Sequence, residues 1–158
     1  MEPHKKTGRY SRIYAQLKEL AAKSNDTDAR MATIAAVLHH KMDYFFWTGF
    51  YMLRDGDLVV RCYQGPVACQ VLARDKGVCW AGINSGETIV VGDVHWFPGH
   101  IACDSRSNSE IVVPVRDARG IITGVLDVDS KEKESFDQTD ALWLEKIVAL
   151  VYSAHEGH

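Results

Sequence analysis

Apolar residues recur at every third or fourth position near both ends of the chain, a spacing that is typical of amphipathic helices. Two such series open the chain: Tyr10, Ile13, Leu17 and Leu20, then Met31, Ile34, Leu38 and Met42. Another lies near the C-terminus: Leu144, Ile147, Val148 and Val151. The cap-rich stretch SNDTD separates the first two series. The pattern predicts helices over about residues 8–23, 28–42 and 137–154.

Between these helices the pattern changes to strands joined by short turns. The runs YFFWTGFYML and LVVRCY flank the turn RDGD, which contains the hairpin dipeptide Asp55-Gly56. The runs IVVPV and ITGVLDVD flank the turn RDARG and predict a second hairpin, and ETIVVGDV predicts a further short strand. We therefore expect a single α+β domain, residues 1–158. Its central antiparallel sheet, within about residues 44–130, would be covered by the N- and C-terminal helices.

Two irregular segments interrupt the strands. Residues 64–86 are punctuated by glycine and proline, so we expect only one or two helical turns there. The stretch from His95 to Ser109 contains Pro98, Gly99 and a polar cluster, which indicates a long ordered loop. Long loops inside compact domains are often functional, and this one contains Cys103.

The charge balance argues against one class of partner. The 18 basic and 21 acidic residues are interleaved and give a formal net charge of −3, so no basic stripe is available for DNA or RNA. No apolar run approaches the roughly 18 residues that a membrane span needs, and the N-terminus lacks a signal-peptide pattern. We expect a cytoplasmic protein with no nucleic-acid or membrane partner, and a homodimer stays open as its oligomeric state.

The four cysteines are informative because cytosolic cysteines are normally reduced, so that any disulfide would be transient and chemical. Cys62 lies within a predicted strand and is interpreted as an inert core residue. Cys69, Cys79 and Cys103 fall in the glycine-rich or polar segments, where a thiol can react. Their placement favours redox chemistry in this part of the chain.

An aromatic strand offers a candidate apolar surface. Trp47, Gly49 and Tyr51 share one face of the first strand because side chains alternate, and the glycine would leave a small slot between the two rings. Burial of both aromatics in the core is the alternative interpretation.

Acidic residues offer the polar counterpart. Asp127 and Asp129 share a face of the last strand, and if Arg116 pairs with Ile121 across the hairpin, Glu110 lies opposite Asp127. Like charges across a sheet are destabilising, so the cluster needs a cation, a shared proton or exposure to water. Exposure is the simple alternative. A partly closed cluster could instead hold a zwitterion, with one carboxyl kept protonated.

Two other chemistries compete for the thiols. A zinc site could add His95 and His100 as ligands, but no C-x-x-C or H-x-x-H spacing is present to preorganise them, so we expect no metal. A Cys-His hydrolase with either histidine as base has no local support. Redox chemistry uses all the features together: one thiol as nucleophile, a second as resolver, carboxyls as proton source and an aromatic surface for a small apolar group.

Three segments of the sequence resemble one known family. They are GPVACQVLARDKGVC, VGDVHWFPGHIACDSRSNSEIVVPV and GVLDVDS. They are similar to the free methionine-R-sulfoxide reductases, whose fold is a GAF-type domain, and the resemblance is strong from about Tyr44 to Ser130. The combination of FPGHIACD, SEIVVP and three thiols at this spacing is far more specific than a GAF resemblance alone. The resemblance implies a single GAF-like domain.

The resemblance also implies an activity. The enzyme would reduce free L-methionine-(R)-S-oxide to L-methionine, with Cys103 as the nucleophile that becomes a sulfenic acid. Cys69 would resolve the sulfenic acid as a disulfide that thioredoxin reduces, and Cys79 would be an accessory thiol. No bound cofactor is implied.

The same resemblance implies the substrate contacts and leaves one competing function. Trp47 and Tyr51 would surround the methyl group, and Glu110, Asp127 and Asp129 would hold the ammonium group and the sulfoxide oxygen. One departure is Trp80, which follows Cys79 where the family usually has glycine and puts the exposure of that thiol in question. The competing function is a GAF-type small-molecule sensor without catalysis, which would leave the three thiols unexplained.

Overall fold

A computed structural model describes residues 1–100 and 103–154 of the chain, in which four α-helices flank a six-stranded antiparallel sheet. The helices are α1 (Pro3–Ala21), α2 (Thr27–Lys41), α3 (Gly77–Ser85) and α4 (Gln138–Val148). The strands are β1 (Trp47–Arg54), β2 (Asp57–Gln64), β3 (Val71–Leu72), β4 (Ile89–Val91), β5 (Ser109–Arg116) and β6 (Ile122–Ser130). They follow the order β3-β2-β1-β6-β5-β4, and every neighbouring pair is antiparallel.

Side-chain alternation along the strands builds a separate apolar core on each face of the sheet. On one face, Phe50, Leu126 and Val128 are fully buried against the apolar stripes of α1, α2 and α4. On the other face, Tyr51 packs in a smaller cluster with Trp80 of α3. The helical layer therefore stabilises one face, and the face beneath α3 keeps room for polar residues.

The helices predicted from the apolar spacing near both ends of the chain are confirmed, although their first and last residues differ from the prediction. Helix α1 begins at Pro3 because proline is preorganised for the first helical turn, and Leu20 is exposed instead of packed. Helix α4 ends at Val148, after which the chain tightens into short turns that still bury Val151. Among the described residues, no helix is both long and apolar enough to cross a membrane.

The predicted turn of the second hairpin was wrong in its register. Arg116 pairs with Ile122, not with Ile121, and a β-bulge interrupts the ladder beside this pair. Asp117 closes the wider loop, since its backbone N–H donates to the Ile121 carbonyl at 2.9 Å and its side chain accepts from the Ile121 N–H at 3.1 Å. The loop and the bulge together shift the pairing of β5 with β6 by two residues relative to the predicted register.

The shift changes which carboxyls face each other. Glu110 pairs with Asp129, and Asp127 lies opposite Val112, so the predicted pair of Glu110 and Asp127 was wrong. Because the side-chain period of a strand is two, a shift of two residues leaves each side chain on its predicted face. The three carboxyls therefore still converge.

A buried polar network fixes α1 to α4. Lys6, only 2% exposed, donates to fully buried Asp140 at 2.5 Å. The hydroxyls of Tyr10 and Tyr44 donate to the other oxygen of Asp140 at 2.6 and 2.5 Å. Burial is the main cause that raises the pKa of both tyrosines, and the Asp140 charge adds to it. The network satisfies a buried carboxylate and holds the N-terminal helix on the domain.

Candidate active site

A pocket on the α3 side of the sheet contains every residue that the sequence analysis assigned to catalysis or substrate binding. Those residues are Trp47, Tyr51, Cys69, Cys79, Cys103, Glu110, Asp127 and Asp129. Strand β1 supplies the aromatics, β5 and β6 supply the acids, and α3 and two loops supply the thiols. The sheet therefore brings an apolar, an acidic and a thiol-bearing wall together in one cavity.

The aromatic wall differs from its prediction. Trp47 and Tyr51 are almost fully buried and stack with ring centroids 5.7 Å apart. The expected slot above Gly49 was wrong, because the Trp47 ring itself covers this glycine. The indole N–H donates to the Pro66 carbonyl at 3.0 Å, and the Tyr51 hydroxyl donates to the Cys69 carbonyl at 3.0 Å. The two rings thus form a continuous surface that also holds the segment with the first pocket thiol.

A disulfide joins Cys69 to Cys103 across 34 positions of sequence, with Cα atoms 5.6 Å apart. Cys103 is exposed and Cys69 is partly exposed, so the bond lies where the pocket meets solvent. The structure therefore describes the oxidised form of the two cysteines. Residues 101–102 of the motif FPGHIACD, like residues 155–158, lie outside the described residues.

The acidic wall is crowded and buried. Glu110 and Asp127 are each 6% exposed, and Asp129 is partly exposed. An oxygen of Glu110, an oxygen of Asp127 and the Cys79 Sγ lie within 4.8 Å of one another. In residues 1–100 and 103–154, no Lys, Arg or His nitrogen lies within 4.0 Å of these three carboxylates. Asp127 Oδ1 is buried and has no hydrogen-bond partner within the same residues.

Burial is the largest cause that raises the pKa of all three carboxyls. The negative charges of Asp127 and Asp129 raise the pKa of Glu110 further. For Asp127 and Asp129, the neighbouring Glu110 carboxyl opposes part of the rise. The three carboxyls titrate as one coupled cluster, and a proton is held there more readily than on a carboxyl in water.

The two free thiols occupy different environments. Cys79 lies in the first turn of α3 and is 5% exposed, and burial together with the Asp127 charge raises the pKa of its thiol well above the usual value. Trp80 is also buried, in the smaller core, and does not line the pocket. Cys62 is half-buried on β2, with its Sγ 3.6 Å from the Asp28 carbonyl. Cys62 packs at the edge of the main core, so it is a peripheral core residue and not a fully buried one.

The histidines considered as ligands or bases are separated by the fold. His100 lines the pocket, where burial lowers the pKa of its ring. His95 is exposed and lies 2.8 Å from Asp93 through its Nδ1, outside the pocket lining. A site that needs both histidines is therefore not supported.

Sequence reasoning missed the N-terminal end of α3, which forms another part of the pocket. Lys76 and Gly77 line the cavity, and Lys76 is the N-cap residue but makes no side-chain capping bond. The first N–H groups of a helix have no intrahelical partner and carry partial positive charge. The pocket therefore has a positive end as well as its acidic wall. The only signals in the sequence are a lysine and a glycine directly before the helix.

Comparison with known proteins places the chain among GAF domains of similar size. The GAF domain family model matches residues 24–154. A free methionine-R-sulfoxide reductase from Escherichia coli is 38% identical over 144 residues, which cover 91% of this chain and 87% of that protein. GAF domain-containing protein A from Dictyostelium discoideum is 40% identical over 147 residues, 92% of either chain.

A solved structure extends the similarity to three dimensions. The free methionine-R-sulfoxide reductase from Neisseria meningitidis, solved in complex with its substrate, superimposes with a TM-score of 0.88. It is 40% identical, and the match covers 92% of this chain and 87% of that one. The similarity therefore spans the whole fold and is not confined to the pocket.

Proposed function

The chain belongs to the free methionine-R-sulfoxide reductase family of GAF domains, and we propose that it reduces free L-methionine-(R)-S-oxide to L-methionine. One observation carries the proposal: the disulfide between Cys69 and Cys103 lies in the wall of the same pocket as the acids and the aromatic rings. A small-molecule sensor needs a pocket but has no use for a redox pair inside it. The arrangement supports a thiol-dependent reductase.

The charges of the pocket suit a free amino acid. The oxygen of Asp127 that has no hydrogen-bond partner in residues 1–100 and 103–154 can accept a hydrogen bond from the substrate ammonium group. Lys76 and the start of α3 can hold the carboxylate. Trp47 and Tyr51 provide an apolar surface for the methyl group. In a peptide the same two ends of methionine are neutral amides, so neither charge is matched. We therefore expect selection of the free form.

In the first chemical step, the Cys103 thiolate attacks the sulfoxide sulfur. A bond forms between the two sulfurs as the sulfoxide oxygen takes up a proton. The protonated oxygen then moves to the Cys103 sulfur while its bond to the substrate sulfur and the new sulfur–sulfur bond both break, so that methionine leaves and Cys103 becomes a sulfenic acid. The sulfoxide oxygen must be protonated or strongly hydrogen-bonded, and general acid catalysis typically contributes about 10²- to 10⁴-fold. Glu110 or Asp129 is the proposed donor, because burial raises the pKa of both carboxyls and so favours their protonated form.

In the second step, the Cys69 thiol condenses with the sulfenic acid and releases water. The product is the disulfide that the structure describes, with a Cα separation of 5.6 Å that lies inside the usual range of about 4.4–6.8 Å. Cys79 is proposed as an accessory thiol, less reactive than Cys69 because its burial disfavours the thiolate. A thioredoxin-type dithiol protein would reduce the disulfide where Cys103 is exposed.

A single-turnover experiment tests these roles. The fully reduced protein, freed from reductant, is mixed with excess free L-methionine-(R)-S-oxide, and methionine is counted per chain. Wild type and Cys69→Ser should release about one equivalent, whereas Cys103→Ser should release none. Cys62→Ser, which removes the thiol outside the pocket, is the matched control and should behave as wild type.

The outcomes separate the competing functions. Release by Cys103→Ser but not by Cys69→Ser would reverse the assigned roles of the two thiols. Binding of the sulfoxide to wild type without any methionine would instead favour a sensor and overturn the reductase.

A further inference from the structure

We propose that the Cys79 Sγ and one carboxylate oxygen each from Glu110 and Asp127 form a binding site for a zinc ion. The ion would occupy the position of the substrate ammonium group and so exclude the substrate. The binding claim stands on the geometry of the pocket alone. The claim of exclusion rests on the proposed function.

The three donors meet although they come from three separate elements. The thiol is carried by α3 and the carboxylates by β5 and β6, and the donor atoms lie within 4.8 Å of one another. Zinc binds cysteine sulfur at about 2.3 Å and carboxylate oxygen at about 2.0–2.2 Å, so the ligands of a tetrahedral site lie about 3.4–3.6 Å apart. The donor atoms would therefore have to approach one another by about 1 Å at most to share one ion. All three residues are buried.

A buried carboxylate oxygen of Asp127 gives independent support for a positively charged ligand in the pocket. Asp127 is 94% buried, yet its Oδ1 has no hydrogen-bond partner among the described residues, and the residue lines the pocket. An unsatisfied buried acceptor is destabilising, and more so when it is charged. Within the described part of the chain, no basic side chain lies within 4.0 Å to supply the missing partner. A cation in the cavity would satisfy it.

The donor types select among cations. Calcium and magnesium prefer oxygen ligands alone, whereas a thiolate combined with carboxylates suits zinc. Three protein ligands leave the fourth position of a tetrahedral ion open to the pocket, where water completes the shell. The absence of C-x-x-C and H-x-x-H spacings argued against a metal. Such spacings are typical only of sites whose ligands come from one local segment. A site assembled across a sheet and a helix carries no such signature.

The disulfide form of the full chain offers a clean binding test. Cys69 and Cys103 are bonded to each other in that form, so Cys62 and Cys79 are the two free thiols. Zn²⁺ is titrated in competition with a chromophoric chelator, and Co²⁺ is used as a spectroscopic substitute. We expect one tight equivalent of Zn²⁺, and a thiolate-to-cobalt charge-transfer band with the first equivalent of Co²⁺.

Matched variants locate the site. Cys79→Ser and Asp127→Asn should each weaken Zn²⁺ binding by more than about 100-fold, because even residues that only support a metal ligand are worth about 10- to 100-fold. Cys62→Ser should bind as wild type. Loss of the tight site in Cys62→Ser, or its retention in Cys79→Ser, would overturn the proposal. If Cys79→Ser fails to fold, the wild-type cobalt spectrum still decides, since a first equivalent without the charge-transfer band excludes a thiolate ligand.

A second measurement tests the exclusion of substrate. In steady-state reduction of free L-methionine-(R)-S-oxide, Zn²⁺ should raise the apparent KM and leave kcat unchanged at saturating substrate. A fall in kcat alone would contradict competition for the ammonium position. If the chain reduces no sulfoxide but still binds one Zn²⁺ through Cys79, the proposed function fails and the metal site stands.

Discussion

Replacing Gly49 by alanine should displace the indole of Trp47 from the pocket wall. An added Cβ would lie 2.4 Å from the Cβ of Tyr63 and 2.6 Å from Trp47 Cη2. Tyr63 cannot retreat freely, because it pairs with Gly49 across β1 and β2. The β1–β2 pairing must therefore shift at this point, and the indole must move as well, against its hydrogen bond to the Pro66 carbonyl. Overpacking of this kind costs about 1–3 kcal/mol.

This penalty converts into a measurable loss of thermal stability. At about 2–4 °C per kcal/mol for a chain of this size, the Gly49→Ala variant should lose about 2–12 °C in Tm, followed by circular dichroism on the disulfide form. Its KM for the free sulfoxide should also rise, since the methyl-binding surface is distorted.

A second glycine provides the control. In Gly8→Ala, on α1, the new Cβ meets only the flexible end of Arg12 at 3.5 Å, and alanine favours the helix by about 0.5–1 kcal/mol. The Tm of this variant should stay level or rise. A Gly49→Ala protein with wild-type Tm and KM would refute the packing argument.

Three further predictions follow from named contacts. Asp140→Asn removes the fully buried anion of Lys6, whose buried ammonium then keeps only the half-exposed Asp137 carboxylate at 3.2 Å. The free energy of unfolding in urea titrations should fall by up to the about 3–5 kcal/mol that breaking a buried ion pair costs; full stability would contradict the network. Burial raises the pKa of Glu110 in the folded state, so the native protein binds more protons than the unfolded chain and stability falls as pH rises above the unfolded value of about 4.3. Glu110→Gln should therefore be more stable than wild type at neutral pH, with a flatter pH profile and slower methionine release, and an unchanged profile would count against a buried acid. Tyr51→Phe loses the bond to the Cys69 carbonyl, worth about 0.5–1.5 kcal/mol, and should slow disulfide closure after methionine release, seen as delayed loss of free thiol; closure at the wild-type rate would remove that role.

The sequence predicted the elements whose apolar pattern is strong and local. The terminal helices and both hairpins follow from helical spacing, strand alternation and turn residues, which act within a few positions. Helix α3 was predicted only as one or two turns, because its segment GVCWAGINS is apolar nearly all round and contains two glycines. Gly82 is needed there for packing, since an added Cβ would lie 2.8 Å from Val112 Cγ1 on β5. That requirement is tertiary and leaves no local signal.

The sequence named residues that come together in one pocket, but it did not give the geometry of that pocket. The motifs named the thiols, acids and rings, and all of them line the pocket. Two details depended on contacts that a sequence does not show. The pairing of Glu110 with Asp129 results from a wider loop and a bulge, and Trp47 folds over Gly49 instead of leaving a slot. The role of Lys76 and the orphaned oxygen of Asp127 likewise emerge only from the assembled fold.

The central claim is that an acidic pocket with a paired thiol reduces one small zwitterion. Its most direct test is a thioredoxin-coupled turnover assay that compares free L-methionine-(R)-S-oxide, the S epimer and a methionine sulfoxide held within a peptide. The account predicts sustained methionine production from the free R epimer, with little from the other two substrates. Equal rates on all three, or none on the free R epimer, would contradict it.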